Sequence, residues 1–244
     1  VLTELPDKIE QNIILPFNDE EEKLYVANLA EVNKELQELY DLEGSDKMQI
    51  LKLLTRLRQL CLEPRLVYDN IDQPSSKLKA CMELIKTMQE NKQKVLLFSS
   101  FTSVLDLIAE ECQKAGITYY MLTGSTNKED RRELVSRFQK DDTTVFLISL
   151  KAGGTGLNLT SAEAVIHFDP WWNVSAQNQA TDRAYRIGQK NNVQVFNLVM
   201  KDSVEEKIIE LQKRKKELAD MFVENNSGGL SQMSKEDILS LFTM

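Results

Sequence analysis

The chain has 244 residues, of which 42% are apolar and 28% charged, so it can bury a sizeable core. No apolar run approaches the roughly 18 residues that a membrane span needs, and the N-terminal stretch lacks the basic and apolar regions of a signal peptide. These features exclude a membrane partner. The net charge of −8 argues at first against nucleic acid, but residues 1–45 hold 12 acidic and 3 basic residues. The remaining residues are nearly balanced in charge and are compatible with a local basic face.

The cysteines Cys61, Cys81 and Cys112 are odd in number, far apart in sequence and outside any CxxC pair. This usage is typical of reduced thiols that act as small apolar residues. It indicates an intracellular location, in the cytoplasm, nucleoid or nucleus. Because the first residue is Val1 and not Met, we also expect the chain to be a piece of a longer protein.

The first part of the chain predicts an arm and two helices. Residues 1–18 contain two prolines and are predicted to be extended. Apolar residues at helical spacing predict helices over residues 20–40, which has an acidic first turn, and 47–61. We therefore expect residues 1–75 to form an extended arm and a helical connector that lies outside any sheet.

From Ser76 onward, helical segments alternate with short apolar, β-branched segments. The predicted strands cover residues 94–99, 117–122, 143–149, 163–169 and 193–199. The predicted helices cover residues 76–91, 102–115, 127–140 and 174–187. This alternation predicts a parallel sheet covered by helices over residues 76–202. Capping boxes are expected at Thr126–Glu129 and Ser203–Glu206.

The C-terminal part of the chain, residues 203–244, predicts a long helix to about residue 224 and a short one over 234–242. A flexible NNSGG linker separates them. The long helix carries the basic residues 213–216, which form either a functional face or an ordinary solvated one.

No phosphate cradle of the GxxxxGK[ST] kind occurs in the chain, and no Asp-Glu pair follows a strand to hold Mg²⁺. The glycine-rich loop at 152–156 has no following lysine, so by itself it is compatible with a simple tight turn. The first strand of the sheet is followed by SFTS, which contains no glycine and excludes a dinucleotide-binding fold.

Three segments at strand ends carry the chemistry: LLFSSFTS, then ISLKAGGTGLNL, then FDPWWN, which leads into QATDRAYRIGQ. In a parallel sheet all three lie at the same edge. They provide hydroxyl groups, a lysine beside backbone amides and an aromatic pair, which are groups that bind a phosphodiester chain.

Each of these features also has a structural explanation. The hydroxyl cluster could cap the following helix. We expect at least one of Trp171 and Trp172 to fill the core at a turn. His167, the only histidine, has no spacing typical of a metal site or catalytic triad and is expected to be structural. Asp169 either caps its own turn or couples two parts of a site.

Gln179, Arg183 and Arg186 have the spacing of one helix face, which predicts that the three side chains point the same way. Paired arginines present planar, permanently charged groups that suit phosphate oxygens. By sequence alone, this stretch is a general anion site.

Taken together, SLKAGGTGLNL, DPWWN and QATDRAYRIGQ resemble the last motifs of the Swi/Snf-type family of DNA-dependent ATPases in helicase superfamily two. LTGSTNKEDRRELVSRFQ and LTRLRQLCLEP resemble two earlier segments of that family, so the resemblance covers residues 1–224 in order. The chain departs from the usual family pattern at Val174 and Tyr185, where Pro and His are usual. The resemblance implies a RecA-like three-layer αβα domain with a mainly parallel sheet, preceded by a helical connector and followed by a C-terminal bracing helix.

The resemblance implies the second lobe of an ATP-driven translocase on double-stranded DNA. ATP and Mg²⁺ would be held mainly by a first, N-terminal RecA-like lobe that this chain lacks, so the chain alone should hydrolyse no ATP. Arg183 and Arg186 would contact the γ-phosphate and Gln179 would align them. Gly156 and Asn158 would lie near the sugar of the nucleotide.

The residues implied to bind DNA are Ser100, Thr102, Lys151, Gly153, Gly154 and Trp172. A DNA-bound protein is a further partner that the motor could move. Two other functions stay open: an RNA helicase lobe, and a catalytically silent interaction module that uses the acidic helix and the C-terminal tail.

Overall fold

A computed structural model describes residues 6–41, 47–152, 157–221 and 241–242. The chain forms two compact units. The sheet unit contains Ala80–Val199 and the N-terminal residues up to Ile13. The helical unit contains Ile14–Lys79 and the residues from Met200 onward. The division of the chain at residues 75 and 202, expected from sequence, stays a prediction.

The strands form one six-stranded sheet in the order β1-β6-β5-β2-β4-β3. Their bounds are β1 Lys8–Leu15, β2 Val95–Ser99, β3 Tyr119–Leu122, β4 Val145–Ser149, β5 Ala164–His167 and β6 Val193–Met200. Neighbouring strands run parallel, with Val95 of β2 opposite Val145 on one side and Ala164 on the other. The parallel sheet and the RecA-like fold predicted from the sequence are confirmed.

Strands β2, β4 and β5 are buried along their whole length, which explains their continuous apolar sequences. They are neighbours in the sheet, so the loops that follow them leave the same edge side by side. We call this edge the carboxyl edge, and it brings the three segments singled out in the sequence together.

The expectation that no part of residues 1–75 joins a sheet was wrong. Strand β1 forms the edge of the sheet beside β6, and the backbone N–H of Val193 donates to the carbonyl of Asp7 at 3.0 Å. Most of β1 is exposed, including Ile9. Its weak apolar pattern reflects this, since an edge strand does not need the apolar run of a buried one.

Helices α3 Ser76–Glu90, α4 Thr102–Lys114, α5 Lys128–Phe138 and α6 Val174–Thr181 follow the predicted alternation. Phe138 of α5 and Ala180 of α6 pack in one core cluster with Phe146 and Val165 of the sheet. The two helices therefore cover the same face. The capping box predicted at Thr126–Glu129 is absent from α5, because the Asn127 side chain accepts from the backbone N–H of Asp130 instead.

The helical unit contains α1 Asp19–Asp41, α2 Lys47–Leu62, a short 3-10 helix Pro64–Leu66, the first turn of α3, and α7 Val204–Met221. Ser203 and Glu206 both cap the start of α7: the Ser203 hydroxyl accepts from the Glu205 N–H and the Glu206 carboxylate from the Asp202 N–H. Inside this unit, the Lys77 ammonium and the Glu205 carboxylate form a fully buried ion pair.

The predicted terminal helix at 234–242 lies outside the described residues except for Leu241 and Phe242, which are buried in the helical unit. All three cysteines are buried, as expected of small apolar residues. Within the described part of the chain, no helix is both long enough and apolar enough to cross a membrane.

Candidate active site

Asp169 connects the ends of two strands at the carboxyl edge. Its carboxylate is 1% exposed and accepts from the Ser99 hydroxyl at 2.7 Å, from the Ser100 N–H at 3.0 Å, and from the Ser100 hydroxyl. Of the two roles left open for Asp169, the structure therefore supports coupling, since it ties the loop after β5 to the loop after β2. A buried carboxylate with several donors holds such loops in one arrangement.

The hydroxyl cluster does not cap α4. The N-cap position of α4 is Phe101, which makes no side-chain cap, while the Ser99 hydroxyl accepts from the Phe101 N–H at 3.1 Å. Ser100 is partly buried, and Thr102 is exposed. The hydroxyls are thus organised by Asp169 and by the strand end.

The loop after β4 contains Lys151, which is exposed, and Ala152, whose N–H donates to the Ser149 hydroxyl at 3.3 Å. Lys151 therefore lies at the carboxyl edge, as predicted. Three other predicted site residues of this loop, Gly153, Gly154 and Gly156, lie outside the described residues.

Trp171 and Trp172 are both partly exposed, so the expectation that at least one of them is buried in the core was wrong. The N–H of Trp171 donates to the Gln177 side chain at 3.2 Å, and Gln177 is anchored in turn to Asn197 of β6. The backbone of this turn is therefore fixed, while both tryptophans stay partly accessible to solvent.

His167 is structural, as expected. It is 1% exposed, stacks on Phe98, and its Nε2 lies 2.9 Å from the Thr181 hydroxyl. Burial lowers its pKa to about 4, against an opposing effect of Asp169. It is therefore neutral at physiological pH and fixes α6 against the sheet.

The prediction that one helix carries Gln179, Arg183 and Arg186 was wrong, because α6 ends at Thr181. The chain continues in turns, in which the N–H of Arg183 donates to the carbonyl of Ala180 and the N–H of Gln189 donates to the carbonyl of Arg186. Gly188, near the end of these turns, adopts φ +106°, a conformation that favours glycine.

The turns nevertheless bring the three predicted side chains together. They line one cleft of about 570 Å³, whose described lining is Leu157, Gln179, Asp182, Arg183, Tyr185, Arg186 and Ile187. We call it the arginine cleft. Gln179 and Arg186 are exposed, whereas Arg183 is only 5% exposed. Ile187 is 79% exposed, which is unusual for a large apolar side chain.

The charge around Arg183 is unusual. Its pKa is lowered by burial first, then by the positive charges of Arg131 and Arg186. We call these three residues the arginine cluster. Guanidinium groups that lie close together repel one another, and the repulsion is relieved by an anion. Arginine charges that disfavour one another in this way are a feature of many functional sites.

Arg131, on α5, is a residue near the arginine pair that the sequence analysis did not single out. It lies within LTGSTNKEDRRELVSRFQ, a segment that resembles the family, but on a helix outside the strand-end loops where candidate site residues were sought. Only the packing of α5 and α6 on one face of the sheet places it near Arg183. Arg131 and Asn158 line a second groove, of about 680 Å³, which shares Leu157 with the arginine cleft.

Residues 76–188 match the family described as helicase conserved C-terminal domain. An uncharacterized ATP-dependent helicase of Mycoplasma pneumoniae is 37% identical over 243 residues. The match covers 99% of this chain but 23% of that protein, so the chain spans about a quarter of the length of this curated relative.

Solved structures of related ATPase domains also superpose on this chain. The Sulfolobus solfataricus SWI2/SNF2 ATPase C-terminal domain superposes with a TM-score of 0.76 at 27% identity, over 96% of this chain and 98% of that one. The Sulfolobus solfataricus SWI2/SNF2 ATPase core in complex with dsDNA superposes with a TM-score of 0.77 at 30% identity, over 97% of this chain and 50% of that one.

The parallel sheet, the strand-end loops and the arginine cleft define a RecA-like C-terminal domain of the helicase type. Within that class, the chain belongs to the Swi/Snf-type family of ATP-dependent helicases, as its C-terminal lobe.

Proposed function

We propose that this chain is the second motor lobe of an ATP-dependent translocase on double-stranded DNA. The observation that carries the proposal is the arginine cleft, in which Gln179, Arg183 and Arg186 meet although the helix that was expected to align them ends earlier. The neighbouring carboxyl edge provides the groups for a second phosphate-containing partner.

The arginine pair would act on the γ-phosphate of ATP. A guanidinium group that faces a phosphoryl group during transfer stabilises the charge of the transition state, an effect of roughly 10³–10⁵ in rate. Arg183 is buried, so its guanidinium is already largely desolvated before the phosphate arrives. Gln179, on the same cleft, would align the phosphate or the attacking water.

The arginine cluster suits an anion and repels a cation. We therefore assign the phosphates to this chain, and Mg²⁺ to a first RecA-like lobe of the same parent protein. Mg²⁺, when bound there, would neutralise charge on the phosphates. The exposed Ile187 on the rim of the cleft supports a protein partner on this side, because a large apolar side chain is stabilised by burial.

The carboxyl edge would hold the DNA backbone. Ser100, Thr102 and Lys151 present hydroxyl and ammonium groups there, and Asp169 fixes the first of them. Gly153 and Gly154 would add backbone N–H donors, and Trp172 would approach a groove of the duplex. The related Sulfolobus solfataricus core has been solved with dsDNA, which supports duplex DNA as the partner.

Asn158 and Gly156 would lie near the sugar of the nucleotide. Asn158 is exposed and borders the groove that continues from the arginine cleft, and its backbone carbonyl accepts from the Gln139 side chain at 2.9 Å. This contact holds the backbone of Asn158 beside the groove.

The test is ATP hydrolysis by the full-length protein, measured alone, with duplex DNA and with duplex RNA. Duplex DNA is expected to raise the rate strongly, and the isolated chain should show no hydrolysis above background. Stimulation by RNA alone would favour the RNA helicase alternative. Absence of ATP hydrolysis under all conditions would favour a silent interaction module and overturn the proposal.

A further inference from the structure

We propose that Arg131 is a positioning residue that couples the loop after β4 to the arginine pair. The inference rests on the proposed function, because it links the DNA-facing loop with the ATP-facing arginines. It concerns a residue of α5 that lies outside every strand-end segment.

The first observation is a hydrogen bond to the start of the loop. The Arg131 guanidinium donates from Nη1 to the backbone carbonyl of Ala152 at 3.0 Å. Ala152 is 3% exposed and directly follows Lys151, the residue proposed to hold a DNA phosphate. Arg131 therefore fixes the backbone beside that lysine.

The second observation concerns the other end of the same loop. The backbone N–H of Leu159 donates to the carbonyl of Arg183 at 3.0 Å. The loop is thus attached to Arg131 near its beginning and to Arg183 at its end. The two arginines are also close enough for the positive charge of Arg131 to lower the pKa of Arg183.

These attachments have a physical consequence. Phosphate oxygens in the arginine cleft would reduce the repulsion between Arg131 and Arg183 and allow the two side chains to approach. Because Arg131 holds the carbonyl of Ala152, a shift of its side chain would move the backbone beside Lys151. Binding at one site would then change affinity at the other, and the coupling acts equally in both directions.

The test uses the full-length protein and the ratio of its ATP hydrolysis rates with and without saturating duplex DNA. Arg131→Met removes both the donor and the charge, and is expected to lower this ratio about tenfold, within the usual range of coupling between sites. Arg131→Lys keeps the charge and a donor, and should recover most of the ratio. Arg137→Met is the matched control on the same helix, because that side chain is 57% exposed and should leave the ratio within about twofold.

A second measurement separates positioning from a general loss of structure. The affinity for duplex DNA should change less on addition of a non-hydrolysable ATP analogue in Arg131→Met than in the wild type. If Arg131→Met melts at a lower temperature than the wild type, the ratio of hydrolysis rates is measured on Arg131→Gln instead. This variant keeps an amide donor but loses the charge. A reduced ratio with normal melting supports the inference, and an unchanged ratio overturns it.

Arg183→Met distinguishes the two proposals. If Arg183→Met abolishes hydrolysis while Arg131→Met keeps the wild-type ratio, the coupling role fails and the proposed function stands. If Arg183→Met leaves hydrolysis unchanged, the proposed function fails and the coupling role fails with it.

Discussion

Two buried cationic side chains in this protein have opposite surroundings. In the helical unit, the Lys77 ammonium lies 2.6 Å and 2.7 Å from the two carboxylate oxygens of Glu205, and both side chains are almost completely buried. In the sheet unit, Arg183 is 5% exposed, and the neighbours that lower its pKa are Arg131 and Arg186.

The proposed function gives these two charges different roles. The Lys77–Glu205 pair neutralises itself, and Glu205 also accepts from the Met200 N–H at 2.8 Å. Such a pair fixes the elements it joins and has nothing left to offer a ligand. In the arginine cluster, Arg131 and Arg186 instead disfavour the charge of Arg183, an effect that a bound anion would reduce.

The largest effect on stability is expected for Lys77→Met. It leaves the Glu205 carboxylate buried without its cation, so we expect the free energy of unfolding to fall by about 3–5 kcal/mol. Chemical denaturation monitored by circular dichroism measures this change.

The double variant Lys77→Met/Glu205→Met is the control, because it replaces the pair by apolar side chains of similar size. Much of the lost stability should return. Equal losses of stability in the single and double variants would show that the effect does not come from the broken ion pair. The contrast between Lys77 and Arg183 would then lose its basis.

A smaller effect, dependent on pH, is expected from His167, a buried base that stays neutral. Its pKa is lowered from 6.5 to about 4, so the unfolded chain takes up a proton at a higher pH than the folded chain. Stability from this group is complete above pH 6.5 and is lost as the pH falls toward 4, by at most about 1.4 kcal/mol per pH unit.

Unfolding curves of the wild type and of His167→Asn between pH 7 and about pH 4 measure the contribution of His167. The variant should be less stable at neutral pH and should lose less stability on acidification. Parallel pH profiles for the two proteins would contradict a neutral, buried His167.

Local sequence signals predicted the parallel sheet and the three strand-end loops, because buried strands have continuous apolar sequences and parallel strands end at one edge. Strand β1 escaped prediction since it is an exposed edge strand that pairs with β6, far away in sequence. Its pairing depends on the rest of the sheet, and the local pattern does not show it.

The site was only partly predictable for a similar reason. The spacing of Gln179, Arg183 and Arg186 correctly grouped the three residues, but it implied one helix where the structure has a helix end followed by turns. Arg131 became visible only through its closeness to Arg183, which lies about 50 residues further along the chain, and no local pattern encodes that closeness.

The most direct test of the account is the Arg183→Met variant of the full-length protein, measured for both activity and stability. We predict that kcat for DNA-stimulated ATP hydrolysis falls by roughly 10³ or more, while ATP affinity changes little. Because burial disfavours the charge of Arg183 and Met keeps much of the side-chain volume, the free energy of unfolding should not fall as it does in Lys77→Met. A kcat within about twofold of wild type, or a loss of stability as large as that of Lys77→Met, would contradict the account.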